Sequence, residues 1–189
     1  MSIRYKSILI PVSLLIIFLG WWLSDLPIGY YEFKKICETE GGLRGYIKVT
    51  PNVGWEVSSL PDAKSTVSSY STVPFVRFPI SDSSWKDVRY LGGNPWWSES
   101  YEIKIADEIV APGYRLERNA ENVTGAIRLR KEVTTLVDKA THETVFDSAR
   151  FIYTWTTPEN TLFGQSGTVT CPTYKNELVS IGSFLGSTK

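Results

Sequence analysis

The sequence predicts an α+β domain: an antiparallel β-sheet with a short N-terminal helix packed on one face, preceded by a single transmembrane helix. A β-sandwich is the alternative architecture. Three observations lead there. Ile8 to Leu23 carries no charged side chain. Phe33, Ile36, Cys37 and Glu40 recur at helical spacing. From Tyr101 onwards apolar and polar residues alternate with the period of a strand, and the alternation ends in a long hairpin.

The uncharged stretch begins after Arg4 and Lys6 and stops at Asp25 and Pro27. As a helix it rises about 24 Å, a little less than a bilayer core of about 30 Å. Ile8, Leu14, Leu15, Ile16 and Ile17 then face hydrocarbon, followed by Phe18 and Leu19. Trp21 and Trp22 suit the far interface, where an amphipathic indole sits well at headgroup depth. A cleaved signal peptide is the rival reading, and cleavage needs small residues one and three positions before the cut. Cutting after Gly20 sets Phe18 at the third position, and cutting after Ser24 sets Trp22 there; both are bulky. The expectation is therefore an uncleaved anchor at residues 8–24, with membrane lipid as a partner. The basic residues ahead of it place residues 1–7 in the cytoplasm and residues 25–189 in an exported domain, on the periplasmic side of a bacterial inner membrane.

Charge and cysteine content narrow the classes. Lysine plus arginine and aspartate plus glutamate both total 20, so the formal net charge is zero. No basic excess points to nucleic acid. Seven tryptophans and ten tyrosines mean that aromatic rings carry much of the core, or that some stand exposed as binding platforms. The two cysteines, Cys37 and Cys171, lie near opposite ends of the exported domain. In an oxidising compartment such a pair most simply forms one disulfide, contributing roughly 3 to 5 kcal/mol in the chain-entropy picture. Two independent buried thiols are the alternative.

The remaining elements follow in order. Gly29 to Glu40 reads as a helix stopped by Gly41-Gly42, with Phe33, Ile36 and Cys37 on one face. Tyr46 to Val57 reads as extended chain broken by Pro51 and Gly54, and Leu60 to Pro74 as an exposed serine- and threonine-rich loop. Ser81 to Ser100 also reads as loop, yet it holds Trp85, Tyr90, Trp96 and Trp97 around Gly92-Gly93-Asn94-Pro95. Tyr101, Ile103 and Ile105 alternate with Glu102 and Lys104. Pro112-Gly113 marks a turn, Tyr114 and Leu116 form a strand, and Asn119 to Asn122 reads as a second turn.

The hairpin joins Ala126–Val137 to Thr144–Trp155. One register opposes Val137 to Val145, Val133 to Ala149, Leu129 to Tyr153 and Ile127 to Trp155 on the buried face. The same register opposes Glu132 to Arg150, Thr134 to Ser148 and Leu136 to Phe146 on the other, so apolar and opposite-charge pairs form together. Lys131 opposite Phe151 and Thr135 opposite Asp147 are its blemishes. Asp147 is expected near the sheet edge or against Lys131. Gly167 to Cys171 is a further strand, and Leu178 to Leu185 an apolar stretch.

Catalytic constellations are thin. His142 is the only histidine and falls in the hairpin turn, and neither cysteine belongs to a CxxC, so a zinc or redox site has almost no ligands and no cofactor is expected. Gly164-Gln165-Ser166-Gly167 is followed by Thr168 where a nucleophile elbow needs glycine. Asp107-Glu108 reads as a solvated turn.

Phe33, Cys37, Gly41-Gly42, Tyr46 and Val49, the late hairpin with its Asp138-Lys139-Ala140-Thr141 turn, and the cysteine near the end together form a pattern. It resembles that of small membrane-anchored bacterial envelope proteins. The likeness implies a location and a disulfide, and no activity. Binding rather than catalysis is therefore the expected role, as an accessory subunit of a membrane or envelope assembly. The group Trp85, Tyr90, Trp96 and Trp97 is the candidate patch for a protein partner or, alternatively, a polysaccharide of the cell wall.

Overall fold

The computed structural model describes residues 11–15, 28–81, 83–124, 128–156 and 167–186, the last two residues of the 128–156 segment by backbone alone. Residues 11–15 are helical and exposed, including Leu14 and Leu15. The anchor residues Ile8, Ile16, Ile17, Phe18, Leu19, Trp21 and Trp22 lie outside the described residues. Among the described residues no helix is long and apolar enough to cross a membrane.

The domain is mixed α+β, built on one large sheet. Helix α1 spans residues 28–40. Strands β1 (Gly42–Gly45) and β2 (Trp55–Glu56) precede helix α2 (Leu60–Ser69). Strands β3 (Val76–Ser81), β4 (Ser84–Tyr90), β5 (Tyr101–Ile105) and β6 (Tyr114–Asn122) follow. The chain then forms β7 (Leu129–Asp138), β8 (Thr144–Thr156), β9 (Gly167–Cys171) and helix α3 (Tyr174–Phe184). The strand order is β1-β8-β7-β6-β2-β3-β4-β5, with β9 also on β8. Among the described residues the strands form one nine-stranded sheet, in place of the β-sandwich alternative.

The sheet departs from the expected antiparallel pattern at its middle. The two-residue β2 pairs parallel with both β3 and β6. Within the sheet, among the described residues, it alone joins an outer β3-β4-β5 meander to an inner set of strands. Trp55 on β2 is 1% exposed and packs, tilted, on Tyr70 just past α2, with ring centroids 5.7 Å apart. Gly54 precedes it for a steric reason: a Cβ there would fall 2.1 Å from the Phe75 ring.

The hairpin adopts the predicted register at Leu129–Tyr153, Glu132–Arg150, Val133–Ala149, Thr134–Ser148 and Leu136–Phe146. It departs at the turn end. Val137 pairs with Thr144, and Val145 is the extra residue of a bulge. That bulge turns Val145 into the larger core, and its carbonyl accepts from the amides of Tyr46 and Ile47. The expected Ile127–Trp155 pair involves residue 127, outside the described residues.

Both faces of the sheet are buried, where one was expected. Helix α1 lays Phe33 and Ile36 on Leu129, Ala149, Phe151 and Tyr153 as the periodicity predicts, and Gly41-Gly42 ends it. The face assigned to polar pairs carries the main core instead. Trp55, Val76, Val88, Leu116, Leu136 and Phe146 pack there beneath α2 and α3. Cys37 and Cys171 form the expected disulfide, with Cα atoms 5.9 Å apart. It straps α1 to β9, whose Cys171 is opposite Phe151.

Several loop assignments are corrected. Leu60–Ser69 is a helix whose Ser59 cap accepts from the Asp62 amide, with a proline in its first turn. Ala63, Thr66 and Val67 are its buried stripe. Residues 84–90 are strand, and Asn119–Asn122 ends β6 rather than turning. Asp147 accepts a hydrogen bond from the Tyr46 hydroxyl, not from Lys131. Lys131 bonds Glu40 at 3.3 Å and lies over the Phe151 ring, which resolves that blemish.

Candidate functional site

The candidate patch lies around β4 and β5, at the edge of the outer meander. The connection 91–100 is held by its own hydrogen bonds. The Leu91 amide donates to the Ser100 carbonyl at 2.8 Å, and the Ser100 hydroxyl donates to the Asn94 carbonyl at 2.6 Å. Asn94 Oδ1 accepts from the Trp96 amide at 3.0 Å, and the Asn94 carbonyl accepts from the Trp97 amide. Tyr101 donates its hydroxyl to the Pro95 carbonyl at 2.7 Å, and Tyr90 to that of Gly93. Gly92 and Gly93 have φ of +98° and +93°, which side chains rarely tolerate.

This scaffold presents two of the four predicted rings. Trp96 is 90% exposed and Trp97 61%. Tyr90 is half-buried and packs on Tyr101 at 5.6 Å, so it supports the loop rather than extending the patch. Trp85 sits near the opposite end of β4, opposite Pro79 and about 17 Å along the strand from Tyr90. The structure thus does not gather it with Trp96 and Trp97. Leu91 and, further along the meander, Ile105 and Ile109 are exposed apolar neighbours in sequence that the prediction overlooked. Two indoles on a hydrogen-bonded loop backbone can bury a large apolar area on a partner, which is the chemistry of a binding anchor.

A charged strip crosses the face opposite α2. Arg77 grips Asp87 through Nε at 2.7 Å and through a terminal nitrogen at 2.9 Å. It also donates to the carbonyls of Asp107 and Val110, drawing the loop after β5 back across the sheet. Glu56 accepts from Arg115 Nε at 2.9 Å and from Lys139. Burial pushes the Glu56 carboxyl up, but the bonds and charges of Lys139 and Arg115 outweigh it and hold the group below its usual range.

A depressed carboxylate stabilises the fold above its ordinary pKa and loses that contribution as pH falls through the folded value. Glu56→Gln is therefore expected to cost about 1–3 kcal/mol near neutrality. The cost should shrink well below pH ~4, where the native carboxyl is itself protonated. Urea denaturation of both proteins across that range checks it; a cost that stays constant with pH would contradict the assignment.

A concavity of about 330 Å³ lies between the sheet, Tyr70 and α3. Arg118, Arg130, Glu132, Arg150, Tyr174 and Glu177 are among the residues lining it. Its carboxylates are engaged: Arg150 bonds Glu132 and lies 3.5 Å from Glu177, which also accepts from Ser148. Burial raises the Tyr70 hydroxyl well above its usual value, so it stays protonated. With its acids paired and its phenol neutral, this cavity offers no poised base. Among the described residues no group of three histidine, cysteine or carboxylate side chains is arranged to hold a metal. His142 is exposed in the hairpin turn, with φ of +61°.

No family model matches the chain, and neither a curated protein nor a solved structure matches it.

Proposed function

We propose that this chain is a membrane-anchored accessory subunit of a membrane or cell-envelope assembly, acting by binding protein rather than by catalysis. Residues 8–24 tether it to a bacterial inner membrane, and residues 25–189 work on the periplasmic side, in the manner of the small envelope proteins it resembles. The uncharged N-terminal stretch and the disulfide both support that location. The observation that carries the binding role is the pair Trp96 and Trp97, exposed on a loop whose backbone is fixed by hydrogen bonds.

Co-purification of the full chain in mild detergent tests the proposal. The native protein is expected to retain a partner, and Trp96→Ala with Trp97→Ala to release it. Unfolding should shift by no more than about 0.5 kcal/mol, because neither exposed ring supports the core. A native chain that emerges alone at every salt concentration would sink the proposal. The same two rings favour a second reading, stacking on sugar rings of a polysaccharide. Loss of retention on insoluble cell-wall polysaccharide in the double variant would support it, and unchanged retention would exclude it.

A further inference from the structure

We propose that the free edge of β5 pairs with β5 of a second copy of this chain, antiparallel about a two-fold axis at Ile103. Strand β5 ends the sheet order, with β4 on one side and no strand on the other among the described residues. The parity of its backbone is fixed by β4. Ala106 donates its amide to the Trp85 carbonyl at 3.0 Å, and the Ser100 carbonyl accepts from Leu91. Even-numbered residues therefore turn their backbone groups inward, and Tyr101, Ile103 and Ile105 turn theirs outward. The Tyr101 amide is taken by the Ser98 carbonyl. The outward groups left are the amide and carbonyl of Ile103 and Ile105 and the carbonyl of Tyr101. A pair centred on Ile103 uses them as reciprocal bonds between the two Ile103 residues, and as bonds from each Ile105 amide to the other copy's Tyr101 carbonyl.

The side chains select that register. Centred on Ile103, each Glu102 lies opposite Lys104 of the other copy, and each Tyr101 lies opposite Ile105. Sliding by two residues one way sets Lys104 against Lys104, and the other way sets Glu102 against Glu102. Like charges directly opposed destabilise a pair, so of these three registers the one centred on Ile103 is favoured. A lone lysine on an edge strand usually discourages pairing. Here Lys104 is already complemented by Glu102 of its own strand at 2.7 Å, and the two-fold makes a four-charge alternating cluster.

The apolar face points the same way. Tyr101, Ile103 and Ile105 continue the face that holds Val88 and Val76; α2 packs mainly on β3 and β4 and lays Lys64 over the Tyr101 ring, which is buried. Ile103 is left 38% exposed and Ile105 83%. The loop after β5 does not lie along the edge to cover them, because Arg77 draws it over β3 and β4. A second copy supplies the missing cover with the same patch, as a two-fold contact requires. The inference concerns the strand edge and stands apart from the indole loop, whether or not that loop binds another protein.

Sedimentation velocity of the full chain in mild detergent tests it, with charge exchange separating this contact from association through the N-terminal stretch. The native chain is expected to form a concentration-dependent dimer. Lys104→Glu should weaken it at least about tenfold. Combining Glu102→Lys with Lys104→Glu should restore it to within about threefold, since the exchanged pairs are again opposite in sign. Lys104 is solvent-exposed, so at concentrations too low for dimerisation the thermal unfolding of each variant should match that of the native monomer. A monomer at all concentrations overturns the proposal. So does a dimer indifferent to Lys104→Glu, or a loss that the double exchange fails to reverse.

Discussion

Trp55→Ala should destabilise the domain by about 3–5 kcal/mol, the range for deleting a large aromatic side chain from a packed core. The size of the effect comes from position as well as area. Trp55 occupies one of the two residues of β2, the strand through which the outer meander is joined to the rest of the sheet. Its ring lies against Tyr70, with Val76 and Tyr114 on the flanking strands paired directly to it. A cavity there loosens β3, β6 and the end of α2 together. Chemical denaturation followed by tryptophan fluorescence and by circular dichroism should show a lower midpoint. Native-state hydrogen exchange should show β3 to β5 losing protection first. A loss under about 1 kcal/mol would mean that the junction is held by something other than this ring.

The second large effect concerns the disulfide. Cys37→Ser with Cys171→Ser should cost about 2–5 kcal/mol, the usual result of removing a native bridge. The cysteines are 134 residues apart, which puts the chain-entropy contribution near the top of that range. The loss should be local before it is global. Helix α1 touches the sheet through Phe33 and its neighbours, a smaller cluster than the core beneath α2 and α3. Proteolysis of the double variant should therefore release residues near α1 under conditions where the sheet survives. Equal protection in both proteins would show that packing alone holds the helix.

The fold was legible wherever one face of an element alternates cleanly. Helix α1 and the pairs from Leu129–Tyr153 to Leu136–Phe146 follow from apolar spacing and one charge pair. The bulge at Val145 escaped because alternation cannot show a residue that leaves the ladder. Helix α2 was hidden by its serines and threonines. Yet Ser59-Leu60-Pro61-Asp62 is a helix start in miniature, with Ala63, Thr66, Val67 and Tyr70 at helical spacing behind it. Strand β4 was missed because turn residues flank Trp85 and because Lys86, Asp87 and Arg89 lie on the sheet's charged border. Of the candidate site, composition found Trp96 and Trp97 but not their companions. Ile105 and Ile109 become exposed because α2 packs mainly on β3 and β4 and its Lys64 covers Tyr101, a fact of tertiary packing.

The bond between Cys37 and Cys171 also decides how the molecule answers a mechanical load. Tension applied between its two ends can unravel chain only as far as Cys37 on one side and Cys171 on the other. Everything between them is a closed covalent ring that the load bypasses. The strands that hold the exposed indoles and the free edge all lie inside that ring. A pull on the two ends is therefore carried through the bridge and not through the strands that present that surface.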